Sequence, residues 1–211
     1  QKISTCVLIY LYTFFMNETS LKKTLSKINM GGLRYFDSIG STNDEALAWA
    51  ASGAKDFSIV IADEQTRGRG RLQRTWHTPK GSALAISLIL RPDEKTKPLL
   101  SRSVGLAAVS IADSLLTMGL TSQIKWPNDI LLNHKKVAGI LVESVWFGTD
   151  VDSLVIGMGI NVYQSSVPPT DSLKFPATSI EDELNKEPPK REEVLLSILT
   201  ALISWREKMI T

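Results

Sequence analysis

The segment at residues 123–144, QIKWPNDILLNHKKVAGILVES, decides the fold class of this chain. Two runs rich in Ile, Leu and Val flank the polar residues Asn133, His134 and Lys135, a pattern that predicts two strands joined by a turn. Hairpin-type strands of this kind, mixed with a few helices, indicate an α+β domain. We therefore expect a mixed β-sheet covered by helices on one side.

Other elements follow from the same patterns on either side of this segment. Further strands are predicted where β-branched and leucine-rich runs occur, at 33–38, 58–63, 83–92 and 153–162. Three helices are predicted, from Ser41 or Thr42 to Gly53, from Pro98 to Met118 and from about Arg191 to Met209. In the first helix, Asp44 follows Ser41 by three residues, which is the spacing of a capping box.

The composition is that of a globular protein, with 43% hydrophobic and 22% charged residues. The formal net charge is only +2, so any basic function has to be local. Cys6 is the single cysteine and only two histidines occur, so we predict neither an internal disulfide nor a zinc cluster. This cysteine usage suits a reducing compartment, and we expect the protein to be cytoplasmic.

The N-terminal residues 6–15, CVLIYLYTFF, are apolar but too few to span a bilayer, which takes about 20 residues. No small-residue cleavage site follows them, as a signal peptide would require. We expect residues 1–30 to be an extension outside the native domain and residues 31–211 to form that domain. The extension is too short for a winged-helix DNA-binding domain. We expect neither a nucleic-acid nor a membrane partner.

Residues 66–76, TRGRGRLQRTW, combine four arginines, two glycines and a tryptophan. The glycines let the backbone approach a ligand and expose its N–H groups, while the arginines supply fixed positive charge. Such a loop can hold a phosphate or a carboxylate, and Trp76 offers a flat face to a base. Taken alone, a solvated charged loop or an RG-type RNA contact explains it equally well. Neither GxxxxGK[ST] nor a helix-opening GxGxxG is present.

Three further motifs each have a functional and a structural interpretation. In KWPND (125–129), the polar ends can meet a ligand, or Lys125 and Asp129 can form an ion pair that locks the turn. In KKVAGILVES (135–144), a lysine can polarise a phosphoryl centre, or it can guard a hairpin. In GMGINV (157–162), the glycines can admit a ligand beside Asn161, or they can mark a β-bulge.

Together, and in this order, the motifs resemble the catalytic domain of biotin protein ligases, in the biotin/lipoate ligase superfamily. The combination of KWPND with KxAGILVE is specific, whereas GRGR alone is weak. The resemblance implies the fold of that domain and extends from about Arg34 to Trp205. The matching strings are FDSIGSTNDEAL (36–47), EQTRGRGRLQRTW (64–76), KWPNDILLNHKKVAGILVE (125–143) and GMGINV (157–162).

The resemblance implies a biotin site. The Ser-Thr-Asn string and a glutamine hold the ring system, because a ureido group needs both donors and acceptors. The GRGR loop folds over biotin and nucleotide, and a lysine contacts the biotin carboxylate and the α-phosphate. The biotin-binding residues implied are Ser41, Thr42, Asn43, Gln65, Gly68, Arg69, Gly70, Arg71, Lys136, Gly139 and Gly157.

The resemblance also implies an ATP site that overlaps the biotin site. Arg69, Arg71 and Lys136 are the implied catalytic groups, and a tryptophan and an asparagine meet the adenine. Mg²⁺ is expected mainly through the ATP phosphates, with Asp129 near it and no firm protein ligand. The ATP-binding residues implied are Arg69, Arg71, Arg74, Trp76, Lys125, Asn128, Asp129, Lys136 and Asn161.

The implied reaction has two steps. Biotin attacks the α-phosphate of ATP to give biotinyl-5′-AMP and pyrophosphate, and a lysine of a biotin carboxyl carrier protein then displaces AMP. Family members are monomers or homodimers. The rival is a lipoate–protein ligase or lipoyl/octanoyl transferase of the same fold, but the Ser-Thr-Asn string with KWPND favours biotin.

The sequence departs from the family pattern in three ways. Gln73 stands where many members have glycine, so either the backbone there needs no glycine-only conformation or the loop differs slightly. A DNA-binding domain is not expected, and neither is a repressor role. The chain stops at Thr211, where members usually continue into a small β-barrel domain, which we expect to be absent.

Overall fold

The computed structural model describes residues 16–169 and 175–210 and contains a seven-stranded mixed sheet in the order β1-β2-β3-β7-β6-β5-β4. The strands are β1 (Gly32–Phe36), β2 (Ser58–Ala62), β3 (Ala83–Leu90), β4 (Gln123–Lys125), β5 (Asp129–Leu132), β6 (Lys135–Phe147) and β7 (Asp150–Asn161). The helices are α1 (Glu18–Thr24), α2 (Thr42–Ala51), α3 (Ser103–Thr117), α4 (Ile180–Glu183) and α5 (Arg191–Ile210). Among the described strands, only β1 and β2 pair in parallel, and the predicted α+β class is confirmed.

The segment that decides the fold contains three strands rather than the two predicted. Pro127 cannot donate to a strand ladder, and the chain turns there between β4 and β5. The predicted turn is present at Asn133 and His134, which have φ values of 46° and 62°. Two consecutive positive φ angles are typical of the tight turns that join hairpin strands, so β5 and β6 pair directly.

Helices cover both faces of the sheet, which corrects the expectation of one covered side. Side chains alternate along a strand, so Ile59 and Ile61 point to one face and Val60 to the other. The first face packs against α3 and α5 in the main core. The second face packs in part against α2, through Ala46 and Ala50. The largest group of polar residues predicted from the motifs, including Lys136 and Asn161, surrounds a cavity on this second face.

The expectation that residues 1–30 lie outside the domain is wrong for residues 16–30. Met16, Leu21 and Leu25 are fully buried in the main core, and the Ser20 hydroxyl donates to Glu192 of α5 at 2.7 Å. Leu21 and Leu25 are four residues apart, so they share one face of α1 and its continuation. Residues 1–15, including the apolar run 6–15, lie outside the described residues.

The predicted helix at 98–118 begins as a 3₁₀-helix at Lys97–Arg102 and continues as α3. By length and composition alone, residues 97–117 are the only helical stretch within 16–169 and 175–210 that could cross a membrane. Leu106, Ile111 and Leu115 of this stretch are buried in the main core. Packing within the domain therefore accounts for its apolar character.

Candidate active site

A band of small residues crosses the second face of the sheet and forms the floor of a cavity. The strand register aligns Ala85 of β3 with Gly159 of β7, Gly159 with Gly139 of β6, and Gly139 with Asp129 of β5. In the neighbouring row, Ser87 is opposite Gly157. The register runs without a break through Gly157–Asn161, so the β-bulge interpretation of GMGINV is wrong.

Two of these glycines are required by the side chains that lie on them. A Cβ atom on Gly159 would be 2.3 Å from the Trp76 ring, and one on Gly157 would be 2.2 Å from Oδ1 of Asn43. Real Cβ atoms do not approach other atoms this closely, so any larger residue would displace its neighbour. Close approach of the Trp76 and Asn43 side chains therefore explains both glycines, whereas the sequence predicted close approach of a ligand or of another backbone.

The cavity has a volume of about 390 Å³, which is the size of a typical small-molecule site. Every predicted site residue except Gly68 lines it, and Gly68 lines an adjoining groove under the loop. The predicted residues brought together here are Ser41, Thr42, Asn43, Gln65, Arg69, Gly70, Arg71, Arg74, Trp76, Lys125, Asn128, Asp129, Lys136, Gly139, Gly157 and Asn161.

One end of the cavity is a polar network at the start of α2. The Thr42 amide and hydroxyl both donate to Oε1 of Gln65, at 2.8 and 3.0 Å. The Gln65 side-chain amide donates to Thr78 at 3.2 Å. Ser87 lies 2.8 Å from the Thr42 hydroxyl and 2.6 Å from Oδ1 of Asn43. This end therefore presents hydroxyls and amides that are already held in place, with Ser41 buried beside them.

The predicted capping box is absent. Ser41 occupies the N-cap of α2, but its side chain makes no capping hydrogen bond. Asp44 instead holds the Arg69 guanidinium at 2.5 Å. Glu143 accepts from the same guanidinium at 3.2 and 3.1 Å. Burial lowers the pKa of Arg69, but the charges of Glu143 and Asp44 and their hydrogen bonds outweigh burial and raise it.

The other end of the cavity carries two further cations. The Lys136 ammonium is 2.6 Å from Oδ1 of Asp129 and lies over the Trp76 ring, 5.3 Å from its centroid. Arg71 donates to Oδ1 of Asn128 at 3.2 Å, and the Asn128 amide donates to the Ile140 carbonyl at 3.0 Å. Asp129 therefore pairs with Lys136, so the Lys125–Asp129 ion pair considered above does not form.

A short strap, residues 176–178, closes the cavity beside Lys136. The Lys136 amide donates to the Pro176 carbonyl at 2.8 Å, and the Thr178 amide donates to the Lys136 carbonyl at 2.9 Å. Asn161 is buried and donates to the Thr178 carbonyl at 3.0 Å, so its amide helps to hold the strap. Lys125 lies over the Phe175 ring, 3.5 Å from the centroid.

The arginine-rich loop folds back on itself above the cavity. The Trp76 amide donates to the Gly68 carbonyl at 2.9 Å, and the Gly70 amide donates to the Arg74 carbonyl at 2.7 Å. Its tip, Leu72 and Gln73, has φ values of 55° and 58°. Gln73, which stands where many family members have glycine, thus adopts the left-handed conformation that glycine favours. Gln73 therefore bears a steric cost in this conformation that glycine would not.

Sequence reasoning missed four residues that shape the site: Ser87, Glu143, Gly159 and Phe175. The small residues Ala83, Ala85 and Ser87 recur every second position in β3, and Gly157 and Gly159 do the same in β7. This period of two placed them on one face and could have revealed the floor. No sequence pattern predicts that Glu143 contacts both Asn43 and Arg69, because these groups are far apart in the chain.

Comparison with known proteins shows the family to which the chain belongs. The family described as "Biotin/lipoate A/B protein ligase family" matches residues 35–161. The bifunctional ligase/repressor BirA of Bacillus spizizenii is 42% identical over 170 residues, covering 78% of this chain and 51% of that protein. A biotin--[acetyl-CoA-carboxylase] ligase of Paracoccus denitrificans is 36% identical over 177 residues, covering 81% of this chain and 71% of that protein. The chain thus spans about half the length of its ligase/repressor relatives.

Solved structures show the same fold. A biotin protein ligase from Aquifex aeolicus in complex with biotin and ATP superposes with a TM-score of 0.70 at 31% identity, covering 84% of this chain and 71% of that one. A biotin protein ligase from Leishmania major in complex with biotinyl-5-AMP gives a TM-score of 0.67 at 27% identity, covering 84% of this chain and 75% of that one. The resemblance found in the sequence is confirmed at the level of family and fold.

Proposed function

Because this chain belongs to the biotin/lipoate A/B protein ligase family, we propose that it is an ATP-dependent biotin protein ligase. It would activate biotin as biotinyl-5′-AMP and transfer biotin to a lysine of a carboxylase carrier domain. The observation that carries the proposal is one cavity with two chemically different ends. Hydroxyls and amides lie at the start of α2, and cations lie at Lys136 and Arg71.

The polar end suits the fused ring of biotin. A ureido group has one carbonyl acceptor and two N–H donors, and Thr42, Gln65 and Ser41 offer complementary groups. A purely aliphatic acyl chain would gain no hydrogen bonds at this end of the cavity, where Thr42 and Gln65 are already bonded to each other, whereas a ureido group offers both donors and acceptors. This contrast favours biotin over lipoate or octanoate as the substrate.

The cationic end suits the first chemical step. A biotin carboxylate oxygen attacks the α-phosphorus of ATP, the bond to the β-phosphate oxygen breaks, and pyrophosphate leaves. Both reactants are anions, so fixed positive groups lower the barrier as charge develops at phosphorus. Lys136 and Arg71 are assigned this task because they share the cavity with Trp76, on which we place the adenine. Arg74, Lys125, Asn128 and Asn161 complete the proposed nucleotide side.

Magnesium would bind mainly through the nucleotide phosphates. Within residues 16–169 and 175–210, no three His, Cys, Asp or Glu side chains cluster as a metal site. Asp129 is the carboxylate at the cationic end, and it is already paired with Lys136. This donor set fits an ion carried in by ATP, since Mg²⁺ commonly keeps several waters and takes one or two protein carboxylates. Its chemistry is to neutralise the leaving pyrophosphate.

The second step needs a dry cavity and access for a protein lysine. The mixed anhydride hydrolyses readily, so the loop at residues 66–76 serves as a lid that excludes water. An uncharged lysine amine of the carrier attacks the biotinyl carbonyl carbon, the bond to the phosphate oxygen breaks, and AMP leaves while the amine loses a proton. A cytoplasmic setting belongs to this proposal, because ATP is available there and the chain has a single cysteine.

Biotin-dependent release of pyrophosphate from ATP tests the proposal, with lipoate and octanoate in parallel reactions. We expect release with biotin and transfer of labelled biotin to an added carrier domain. Release with lipoate or octanoate but none with biotin would replace the proposal by the acyl-ligase alternative. Binding of none of the three acids by a folded sample would reject both.

A further inference from the structure

We propose that Glu143 is a positioning residue that joins the α2 wall of the biotin pocket to the lid, an inference that rests on the function proposed above. Its carboxylate is the one described group that contacts both Asn43 of α2 and Arg69 of the lid. One oxygen, Oε2, accepts from the Asn43 amide at 2.8 Å and from Arg69 at 3.1 Å. Glu143 does not line the biotin cavity itself.

The charge of Glu143 fixes which way the Asn43 amide faces. An ionised carboxylate only accepts hydrogen bonds, so the Asn43 NH₂ group has to face Glu143 and its oxygen has to face Ser87. The amide is buried with 4% of the residue exposed, and it bonds to Glu143, Ser87 and the Leu141 carbonyl. Its hydrogen-bonding groups are therefore largely used inside the protein. Asn43 therefore forms part of the pocket wall and supports Thr42 and Ser87, and its amide has little hydrogen-bonding capacity left for biotin.

The same carboxylate fixes the lid. Arg69 donates from two nitrogens to the two oxygens of Glu143, a geometry that is stronger and more directional than a single ion pair. Asp44, one residue after Asn43, accepts from Nη2 of Arg69, the nitrogen that also donates to Oε2 of Glu143. The lid is therefore attached to α2 through Arg69, at the place where α2 also forms the polar end of the pocket.

The position of Glu143 has no other evident use. It lies in β6 opposite Val155, which packs in the small core beneath α2. An apolar side chain would suit that face, and the partial burial of the Glu143 carboxylate, which is 26% exposed, is unfavourable unless it is paired. Glu143 is paired with two groups of the proposed site, Asn43 and Arg69. Its side chain therefore serves the arrangement of the site rather than the packing of the sheet.

Glu143→Gln separates this role from a general effect on folding. The variant keeps the size of the side chain but removes the charge that orients Asn43 and holds Arg69. We expect the Kd for biotin to rise by roughly tenfold, and release of biotinyl-AMP to quicken by a similar factor, as for the loss of a charge-assisted contact. The KM for ATP should change much less. Calorimetry measures the Kd for biotin, and labelling of an unrelated lysine-rich protein measures the release of biotinyl-AMP.

Two comparison variants make the result specific. Asp44→Asn removes the other partner of Arg69 but not the contact to Asn43, so it should quicken release more than it weakens biotin binding. Glu45→Gln is the matched control, because Glu45 pairs with Arg34 outside the site, and both quantities should stay at the wild-type values. Combining Glu143→Gln with Asn43→Ala should give a loss of biotin affinity smaller than the sum of the two, because one acts through the other.

The outcomes separate this inference from the function on which it rests. Wild-type protein that neither binds biotin nor forms biotinyl-AMP would overturn both. An active wild type with Glu143→Gln unchanged in biotin affinity and in release would overturn the role of Glu143 alone. If Glu143→Gln does not fold, Arg69→Lys breaks the two-point contact from the lid side, and unchanged release from that variant would equally reject the link.

Discussion

The ammonium of Lys136 lies 2.6 Å from the carboxylate of Asp129 and also faces the ring of Trp76. A carboxylate at this distance compensates the charge of a cation that has no phosphate to bind. Under the proposed function, an acid substrate could replace Asp129 as the partner of this half-buried lysine, so that its charge always has a counter-charge nearby. In that function, the pair would therefore hold Lys136 in place between turnovers and leave its charge available to the substrate.

Replacing Lys136 should stop the first step more than it harms the fold. We expect Lys136→Ala to lower the rate of biotinyl-AMP formation by on the order of 10²–10³-fold, because a preorganised cation is lost at phosphorus. The thermal midpoint should move by only a few degrees. Pyrophosphate release in single-turnover reactions measures the rate. Lys95→Ala removes an exposed lysine away from the cavity and should leave the rate unchanged. Near-normal adenylation by Lys136→Ala would remove its assigned role.

Adding one methyl group at Gly157 should block the polar end of the pocket. The new Cβ would lie 2.2 Å from Asn43 Oδ1, so Gly157→Ala should abolish measurable biotin binding at micromolar concentrations while nucleotide binding survives. Gly105→Ala is the matched control: it lies in α3 with nothing within 4 Å of its new Cβ. That change should stabilise the protein by about 0.5–1 kcal/mol through helix propensity. Wild-type biotin affinity in Gly157→Ala would contradict the close contact.

A glycine substitution at the tip of the lid should not lower the free energy of unfolding, in contrast to one in an ordinary loop. Gln73 has a φ of 58°, so Gln73→Gly should leave the free energy of unfolding unchanged or raise it by up to about 1 kcal/mol. Lys80→Gly, in a loop position without a positive φ, should be neutral or destabilising. Urea denaturation compares the two. A clear loss of stability in Gln73→Gly would argue against the left-handed conformation.

The segment before β1 should prove to be part of the folded domain. Leu21 of α1 is fully buried, so Leu21→Ala should lower the free energy of unfolding by about 2–4 kcal/mol through lost burial and a cavity. Leu116→Ala, at an exposed leucine of α3, should cost much less. Equal, small losses in both variants would restore the original expectation that the first 30 residues lie outside the domain.

Acid should weaken the hold on the strap at residues 176–178. Burial raises the pKa of Glu183, but hydrogen bonds from Thr178, Lys135 and Asn133 outweigh it and lower the pKa below the ordinary value of 4.5. A lowered folded pKa means that this stabilisation is complete above about pH 4.5 and is lost as the pH falls through the folded value. Glu183→Gln should therefore be less stable than wild type at pH 7, and the difference should shrink in acid. A constant difference from pH 7 to pH 3 would contradict this.

The comparison of sequence and structure shows what local patterns can and cannot predict. Strand and helix positions follow from apolar periodicity, and the turn at Asn133 and His134 follows from its polar residues. The start of α2 was predicted correctly. The ion pair that Asp44 forms with Arg69 in place of a capping box was not predicted, because it depends on the loop at residues 66–76. The role of Leu21 was missed for the same reason: its partners on α5 are far along the chain.

The floor of the cavity has a consequence for any attempt to change what it accepts. At Gly139, Gly157 and Gly159 the sheet contributes bare main chain, so no atoms remain there to trim away. Any substitution at these three positions can therefore only reduce the volume of the cavity. A bulkier acid would have to gain its room sideways, from α2 or from the loop at residues 66–76, so substitutions intended to enlarge the cavity have to be made in those two elements.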